Sequence, residues 1–390
     1  MKLVVRVKLL PTPEQAVALE TTLHACNEAA TWAARTAFEE SARRPLELRK
    51  LTYRTIRERW KLGSQAAQHT IKKTCDAYAT LAAGMRACRY GKPGSRRRER
   101  VSGKPIAFRA KAAQPYDDRM LSWQHEQRTV SIWTLSGRLK KLPFTGQAEQ
   151  LVLLAASSRG ESDLTCENGS WFLIATCEVS EAEFNGRPAG FLGVDLGIVN
   201  IAATSDGRRY SGRRTNRKRE CDRKLRAKLQ KKNTKSARRR AKRRVGKEAR
   251  RNKDTNHKIS KWIVAEAERT GRGIALEDLT GIRERARLRR PQRAALHSWP
   301  FAQLAAFIVY KAKRAGVPVV YVDPAYTSQE CSECHHIARG NRPSQAVFAC
   351  QVCGFVETAD LNASHNIAYR GWMVWVCGAG STVPELALGA

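Results

Sequence analysis

The chain has 390 residues, of which 42% are apolar, enough for two to three domains with ordinary cores. Its 71 Lys and Arg against 36 Asp and Glu leave a formal charge of +35, far more than solubility requires, which points to a polyanion and specifically to nucleic acid. The first ten residues, MKLVVRVKLL, mix Lys and Arg with apolar residues and lack the continuous core of a signal peptide; no stretch reaches the roughly 18 apolar residues of a membrane span.

Residues 1–10 alternate as a strand, which Pro11 and Pro13 end. Thr12, Pro13, Glu14 and Gln15 make a capping box with proline at the first helical position, and Ala16, Leu19, Leu23, Cys26, Ala30, Ala33 and Ala37 follow at helical spacing. Ser64 is expected to cap a second helix, with Ala67, Ile71, Thr74, Tyr78, Leu81 and Met85 turned inward. The other face of that helix carries Gln65, Gln68, His69, Lys72 and Lys73, the side-chain types that read base edges and meet phosphates, so these residues with Ser64 are the candidate nucleic-acid contacts. Residues 86–104 read as a basic, Gly-rich loop. From 105 to 179 short runs at 129–135, 139–144, 150–155 and 171–177 read as strands of a small antiparallel barrel. The isolated first strand is expected to complete that barrel, which makes the helical segment an insertion.

Residues 191–204, FLGVDLGIVNIAAT, are apolar β-formers interrupted by one acid, Asp195. A carboxylate in a strand buried on both faces is costly unless its charge is compensated, so Asp195 is expected to hold a cation. RNase H-like nucleases and actin-like kinases both fit this stretch. The later acids decide: Glu277 ends the short strand GIALE, and Asp360 opens the helix of TADLN. Carboxylates on strand one, strand four and the last helix are what two-metal phosphodiester hydrolysis requires, because two ions about 4 Å apart need several negative ligands. Residues 213–258, half Lys and Arg, cannot bury themselves and read either as disordered or, the favoured reading, as a helix lying along nucleic acid. Ile259, Ile263 and Ala267 then return the chain to the sheet; Ser298 is expected to begin a helix carrying Phe301, Leu304 and Ile308, ahead of a strand at 317–322. The order βββαβαβα is RNase H-like. Asp278 reads as a structural acid, Asn362 as able to orient Asp360 or touch a phosphate, and His365 as packing or surface.

Cys331-x2-Cys334, 15 residues, Cys350-x2-Cys353 is the most specific local pattern: two knuckles whose four thiolates close a tetrahedral zinc site. His335 and His336 are then surplus loop residues, and the remaining seven cysteines read as ordinary core residues.

Taken together, GVDLGIVNIA, DTNHKISKWIV, IALEDLTGIR, YTSQECSEC, CQVCGF and ADLNASHNIA, with LPTPEQ and LGSQAAQHTIKKTCDAYA near the start, resemble the TnpB family, RNA-guided nucleases of bacterial insertion sequences related to type V CRISPR effectors. The resemblance covers nearly all of residues 1–370. It implies a multidomain α+β protein: a split wedge β-barrel (1–10 and 103–185), an inserted helical recognition domain (11–102), an RNase H-like RuvC nuclease domain (186–325 and 356–372), a four-cysteine zinc ribbon that interrupts it (326–355) and a C-terminal tail (373–390). Its catalytic, magnesium-binding triad maps onto Asp195, Glu277 and Asp360. Structural Zn2+, two catalytic Mg2+, a guide RNA from the transposon end and a double-stranded DNA target are the implied cofactors and partners, for a monomer of the bacterial cytoplasm associated with the nucleoid. A miniature CRISPR effector shares these features; a transposase usually orders its acids Asp, Asp, Glu, and a non-cleaving regulator would have a broken triad. His335 stands where the ribbon often has glycine.

Overall fold

The computed structural model describes residues 1–281 and 300–378, and the chain divides into two compact units, Met1–Val179 and Ser180–Ala390. In the first unit, strand β1 (Lys2–Leu9) buries Val5, Val7 and Leu9 and turns the residues between them outward, the period-two pattern of a sheet with one core face. It pairs with β7 (Ser170–Glu178) on one side and β5 (Gly137–Thr145) on the other. The sheet is antiparallel throughout, in the order β2-β6-β7-β1-β5-β4-β3, where β2 is Gln114–Tyr116, β3 Leu121–Gln124, β4 Thr129–Thr134 and β6 Ser158–Glu167. The expected barrel is therefore a seven-stranded sheet whose end strands are β2 and β3. Its first strand pairs with partners more than a hundred residues later, and the only regular elements between it and β2 are helices.

Helix α1 (Pro13–Glu39) starts with the expected capping box: Gln15 N donates to Thr12 Oγ1, and Thr12 N donates to the Gln15 side chain. Four local features differ from the sequence reading. Helix α2 (Pro45–Trp60) was not anticipated, although Pro45 sits at its first turn and Leu48, Thr52 and Ile56 are buried at a spacing of four. Helix α3 (Ser64–Arg86) has Gly63 as its N-cap, and Ser64 is its first residue. Residues 150–155 form no strand but helix α5 (Ala148–Ala156), since a six-residue apolar run has no period long enough to separate the two. The basic stretch after α3 also contains a short helix, α4 (Arg96–Ser102).

The second unit is built on a five-stranded sheet, β10-β9-β8-β11-β12, comprising β8 (Phe191–Asp195), β9 (Asn200–Thr204), β10 (Arg209–Ser211), β11 (Gly273–Glu277) and β12 (Val319–Val322). The first three are antiparallel neighbours, while β8, β11 and β12 run parallel. Parallel strands need covered faces, and both are covered here. Leu192, Val194, Ile274 and Leu276 pack with Ile263 of α7 (Lys235–Arg269) and with Leu304 and Ile308 of α8 (Phe301–Arg314). On the opposite face Phe191, Ala275 and Val320 pack with Ile367 of α9 (Ala359–Val376).

The basic run is two helices, α6 (Arg213–Lys232) and α7, because Asn233 adopts a left-handed conformation at φ 50 and the Thr234 side chain caps the second helix. Ser298 lies outside the described residues, and α8 begins at Phe301. Residues 373–376, read from sequence as tail, complete α9; residues 379–390 lie outside the described region. Strands β13 (Val347–Ala349) and β14 (Val356–Thr358) form the hairpin that carries the second cysteine pair. Among the described residues no helix is long and apolar enough to cross a membrane.

Candidate active site and cysteine cluster

Asp195 is the last residue of β8 and Glu277 the last of β11, and these strands are parallel neighbours, so both carboxylates emerge at one edge of the sheet. Helix α9 brings the third. It lies against the sheet because Gly193 and Gly371 have no Cβ: one at Gly193 would come within 1.9 Å of the Ser364 carbonyl, and one at Gly371 within 2.4 Å of Ala275. That close approach sets Asp360, in the first turn of α9, over the same edge. Asp195, Glu277 and Asp360 together line an open cleft of about 300 Å3.

The electrostatics of the cleft are those of uncompensated like charge. Burial, then the neighbouring Glu277 and Asp360, push the Asp195 carboxyl up to about 8, and Arg342 only partly opposes this. Burial also raises Glu277, against the lowering effects of a hydrogen bond from Thr327 and the charge of Arg370. Thr327 Oγ1 donates to Glu277 Oε1 at 2.5 Å, and Asn200 Nδ2 donates to Asp360 Oδ2 at 2.7 Å, so two of the acids are held by neutral donors that leave other lone pairs open to the cleft. Hard carboxylate oxygens gathered at the cost of mutual repulsion are the donor set that suits Mg2+.

The loop before the cysteines is fastened from behind. Asn366 Nδ2 donates to the carbonyls of Thr327 and Glu330, and Arg370 donates to the carbonyls of Asp323 and Ala325 and to the Glu330 carboxylate. Asn362 belongs to this support and not to the cleft: it is buried, accepts from Ser332 N and donates to the Glu330 carbonyl, which replaces the expected contact with Asp360 or a phosphate. His365 is exposed. Asp278 Oδ1 accepts from Thr280 N at the end of β11, a structural acid as expected. Arg342, Thr327 and Asn200 were missed from the sequence, because nothing local distinguishes a loop arginine or threonine that folds back into a cleft; Asn200, five residues after Asp195 at the head of the returning strand, had the nearest signal.

The four cysteines converge. Cys331 Sγ lies 3.6 Å from Cys353 Sγ, and Cys334 Sγ 3.6 Å from Cys350 Sγ, with all four sulfurs inside 4.8 Å. A tetrahedron with Zn–S bonds of about 2.3 Å has edges of about 3.8 Å. The cluster therefore fits one zinc ion. The Cys353 backbone N–H first, and then that of Val352, hold the Cys350 thiol down to about 6, which favours a thiolate ligand at neutral pH. His335 and His336 are outside the cluster. His335 has φ 58, the left-handed region that favours glycine, and its ring bonds Glu330 at 3.0 Å and lies against Tyr369. The other cysteines are not uniformly core: Cys26, Cys75 and Cys177 are buried, whereas Cys88, Cys221 and Cys377 are exposed.

In the first unit, Gln65, Gln68, His69 and Lys72 line a second cavity, of about 600 Å3, with Arg49 and Arg119. Ser64 Oγ accepts from Tyr53 and Gln68. His69 is turned between Asp117 at 3.3 Å and Glu161 at 3.8 Å, and Lys72 pairs with Glu161. Lys73 points the other way, into the core, where Nζ donates to Asn27 Oδ1 at 2.5 Å and sits over Phe108.

A family model described as a probable transposase matches residues 175–280, and one described as a Cas12f1-like TNB domain matches residues 301–367. The CRISPR-associated endodeoxyribonuclease Cas12f1 of Sulfoacidibacillus thermotolerans is 46% identical over 115 residues, 29% of this chain and 26% of that protein. A TnpB-like protein of Methanocaldococcus jannaschii is 38% identical over 123 residues, 31% of this chain and 44% of that protein. The putative RNA-guided DNA endonuclease InsQ of Escherichia coli is 28% identical across 54% of this chain and 56% of its own. Each match thus spans under two thirds of the relative's length. A cryo-EM structure of a Cas12f1-sgRNA-target DNA complex shares the fold with a TM-score of 0.53 at 16% identity, covering 91% of this chain and 83% of that one. CasPhi-2 (Cas12j) bound to crRNA shares it with a TM-score of 0.51 at 9% identity, covering 96% and 98%. On its two family-model matches and these relatives, the chain is similar over these stretches to the TnpB-like proteins and the Cas12f endonucleases.

Proposed function

We propose that this chain is an RNA-guided DNA endonuclease that cuts double-stranded DNA beside a short adjacent motif, in a single RuvC-type site, and that it travels with a transposon in the bacterial cytoplasm as a monomer. The observation that carries this reading is the cleft, where three carboxylates on two parallel strand ends and one helix start line one opening, and burial, then the charge of the other two acids, pushes Asp195 up to about 8. The strand order, three antiparallel strands followed by two parallel ones, supports an RNase H-like nuclease domain, and the excess of positive charge supports nucleic-acid partners. Two Mg2+ ions held there would supply a water acidified for attack and a counter-charge for the leaving 3′-oxygen. Asp195, Glu277 and Asp360 would hold those ions, with Asp195 feeling the charge of both other acids. Thr327 and Asn200 keep those two carboxylates turned toward the cleft, and Arg342 is placed to meet the scissile phosphate. Sequence choice would rest on guide pairing, with the Ser64, Gln65, Gln68, His69 and Lys72 surface reading the adjacent duplex. On the same reading the first unit comprises the wedge and recognition domains, and the cysteine cluster is the zinc ribbon.

The test is RNA-programmed cleavage alongside gel-shift binding on the same preparations. Asp195→Ala, Glu277→Ala and Asp360→Ala are each expected to abolish cutting of both strands while guide-directed binding survives. Wild-type cutting by Asp195→Ala would overturn the assignment. The Cas12f1 relatives favour a second reading, a miniature CRISPR effector. Sequencing the RNA that copurifies separates the two, since one requires a repeat-array transcript and the other a transcript of the element's end.

A further inference from the structure

Residues 213–258 contain 23 Lys and Arg against four acids, Glu220, Asp222, Glu248 and Asp254. All four acids are already engaged. Glu220 and Asp254 pair with Lys224 and Lys258 on their own helices. The other two brace α6 against α7: Asp222, 6% exposed, accepts from Arg244 at 2.6 Å and Arg251 at 3.1 Å, and Glu248 accepts from Arg226 at 2.5 Å. Leu229 and Ala237 are buried, and Thr234 caps the second helix. The segment is thus a folded hairpin that spends its few acids internally and turns most of its cations to solvent.

The root of this hairpin is tied to the cleft. Gly212 N donates to the Val199 carbonyl at 2.8 Å, and Asn216 Nδ2 donates to the Ile198 carbonyl at 2.6 Å. Ile198, Val199 and Asn200 form one wall of the carboxylate cleft, and Asn200 holds Asp360. The first turns of α6, with Arg213, Arg214, Arg217 and Lys218 all exposed, therefore start at the lip of the site. The cleft itself is rich in carboxylates and repels a polyanion, so a strand entering it needs compensating cations just outside. A positive track beginning at that lip supplies them.

We propose that the α6–α7 hairpin is the surface that carries single-stranded DNA to the cleft, its phosphates running along the exposed Lys and Arg from Arg213 outward. The inference rests on the nuclease reading of the cleft, but the surface and the chemistry can fail separately. The occupant is assigned as the strand to be cut, and not the guide, because the track is hydrogen bonded to the cleft wall.

The test uses the full chain with its copurified RNA, an Asp195→Ala background so that nothing is cut, and a fluorescent single-stranded DNA oligonucleotide of mixed sequence. Replacing Arg213, Arg214, Arg217 and Lys218 together with Gln should weaken oligonucleotide binding at least tenfold at moderate salt. It should also reduce the slope of log affinity against log salt by about 3, at about 0.7 per lost single-strand phosphate contact. Guide-RNA content and helical circular dichroism should not change. In the Asp195-containing protein the same four replacements should slow cleavage of a matched target. Unchanged oligonucleotide affinity, or loss of guide RNA with oligonucleotide affinity intact, would overturn the assignment. Should the wild-type protein cut nothing while the slope still falls, the surface stands and the nuclease reading fails. Asp222→Asn serves as the folding control, with loss of hairpin helicity expected where the four exposed replacements cause none.

Discussion

Lys73 in the first unit and Asp195 in the second are both charged groups set among packed neighbours, and burial moves both to about 8 from opposite directions. Their surroundings differ in sign. Lys73 has the side-chain oxygen of Asn27 at 2.5 Å and the negative charge of Asp163 nearby, and Asn27 in turn donates to the carbonyls of Ala110 and Ala112. Everything near it lowers the cost of its charge, so its work is to pin α1, α3 and the segment after α4 together. Asp195 has two more carboxylates beside it, and only Arg342 opposes them. A fold has no structural reason to collect like charges. The compensated buried charge marks architecture, and the uncompensated one marks a place where something positive must arrive.

The largest effect expected from this contrast is on cleavage. Asp195→Ala should reduce RNA-programmed cutting by roughly a thousandfold or more, yet leave the melting temperature of the metal-free protein unchanged or raised, because it removes repulsion. A melting temperature that falls by many degrees would show that Asp195 is structural after all. Next in size is the cysteine cluster: Cys350→Ser should release the zinc measured by elemental analysis and open the 331–353 segment to protease, since the ribbon's folding free energy is largely metal binding. Zinc-free protein of full activity would refute this site.

Lys73→Ala should cost about 2–3 kcal/mol in denaturant unfolding, because Asn27 loses its hydrogen-bond partner and Asp163 a nearby positive charge, while the folded fraction keeps its activity. Equal stability of the variant would remove Lys73 from the architecture. The two groups should also have opposite pH signatures. Asp195 is raised from 3.8 to about 8, so between those values the folded chain binds the extra proton and metal-free stability falls as pH rises. Lys73 is lowered from 10.5 to about 8, so between those values the unfolded chain binds the extra proton and stability rises with pH. Thermal melts across pH should show the first slope vanish in Asp195→Asn and on adding Mg2+, and the second vanish only in Lys73→Met. The smallest effect is at Thr327: Thr327→Val should weaken divalent-ion binding, followed by calorimetry, a few-fold by freeing the Glu277 carboxylate, and Thr327→Ser should restore it.

Much of the site was legible because each part leaves a local trace. Asp195 breaks an apolar strand, Glu277 ends one, Asp360 follows a helix-start residue, and the two cysteine pairs have a spacing that suits metal ligation. That the first strand joins the later strands in one sheet was likewise inferable, since a lone strand must find partners; its place between β5 and β7 was not. The local errors were made where two periods fit equally well. The apolar run at 150–155 is too short to choose between helix and strand, and the basic run was read as one helix because Asn233 takes its left-handed turn without a glycine or proline to mark it.

The sequence by itself determined which groups could ligate metal and in what order they occur, because ligand chemistry belongs to the residue type. Only the tertiary structure decided which neighbours those groups meet. Asn362, beside Asp360 in sequence, turns away to hold the Glu330 loop, whereas Asn200 and Arg342, remote from it, face into the cleft. Lys73 and Lys72 are adjacent, yet one is buried in a hydrogen-bonded core and the other lines a cavity. Helix rotation and loop return set these directions. They depend on contacts between segments far apart in the chain, such as the bare backbone of Gly193 under α9, which no local pattern records.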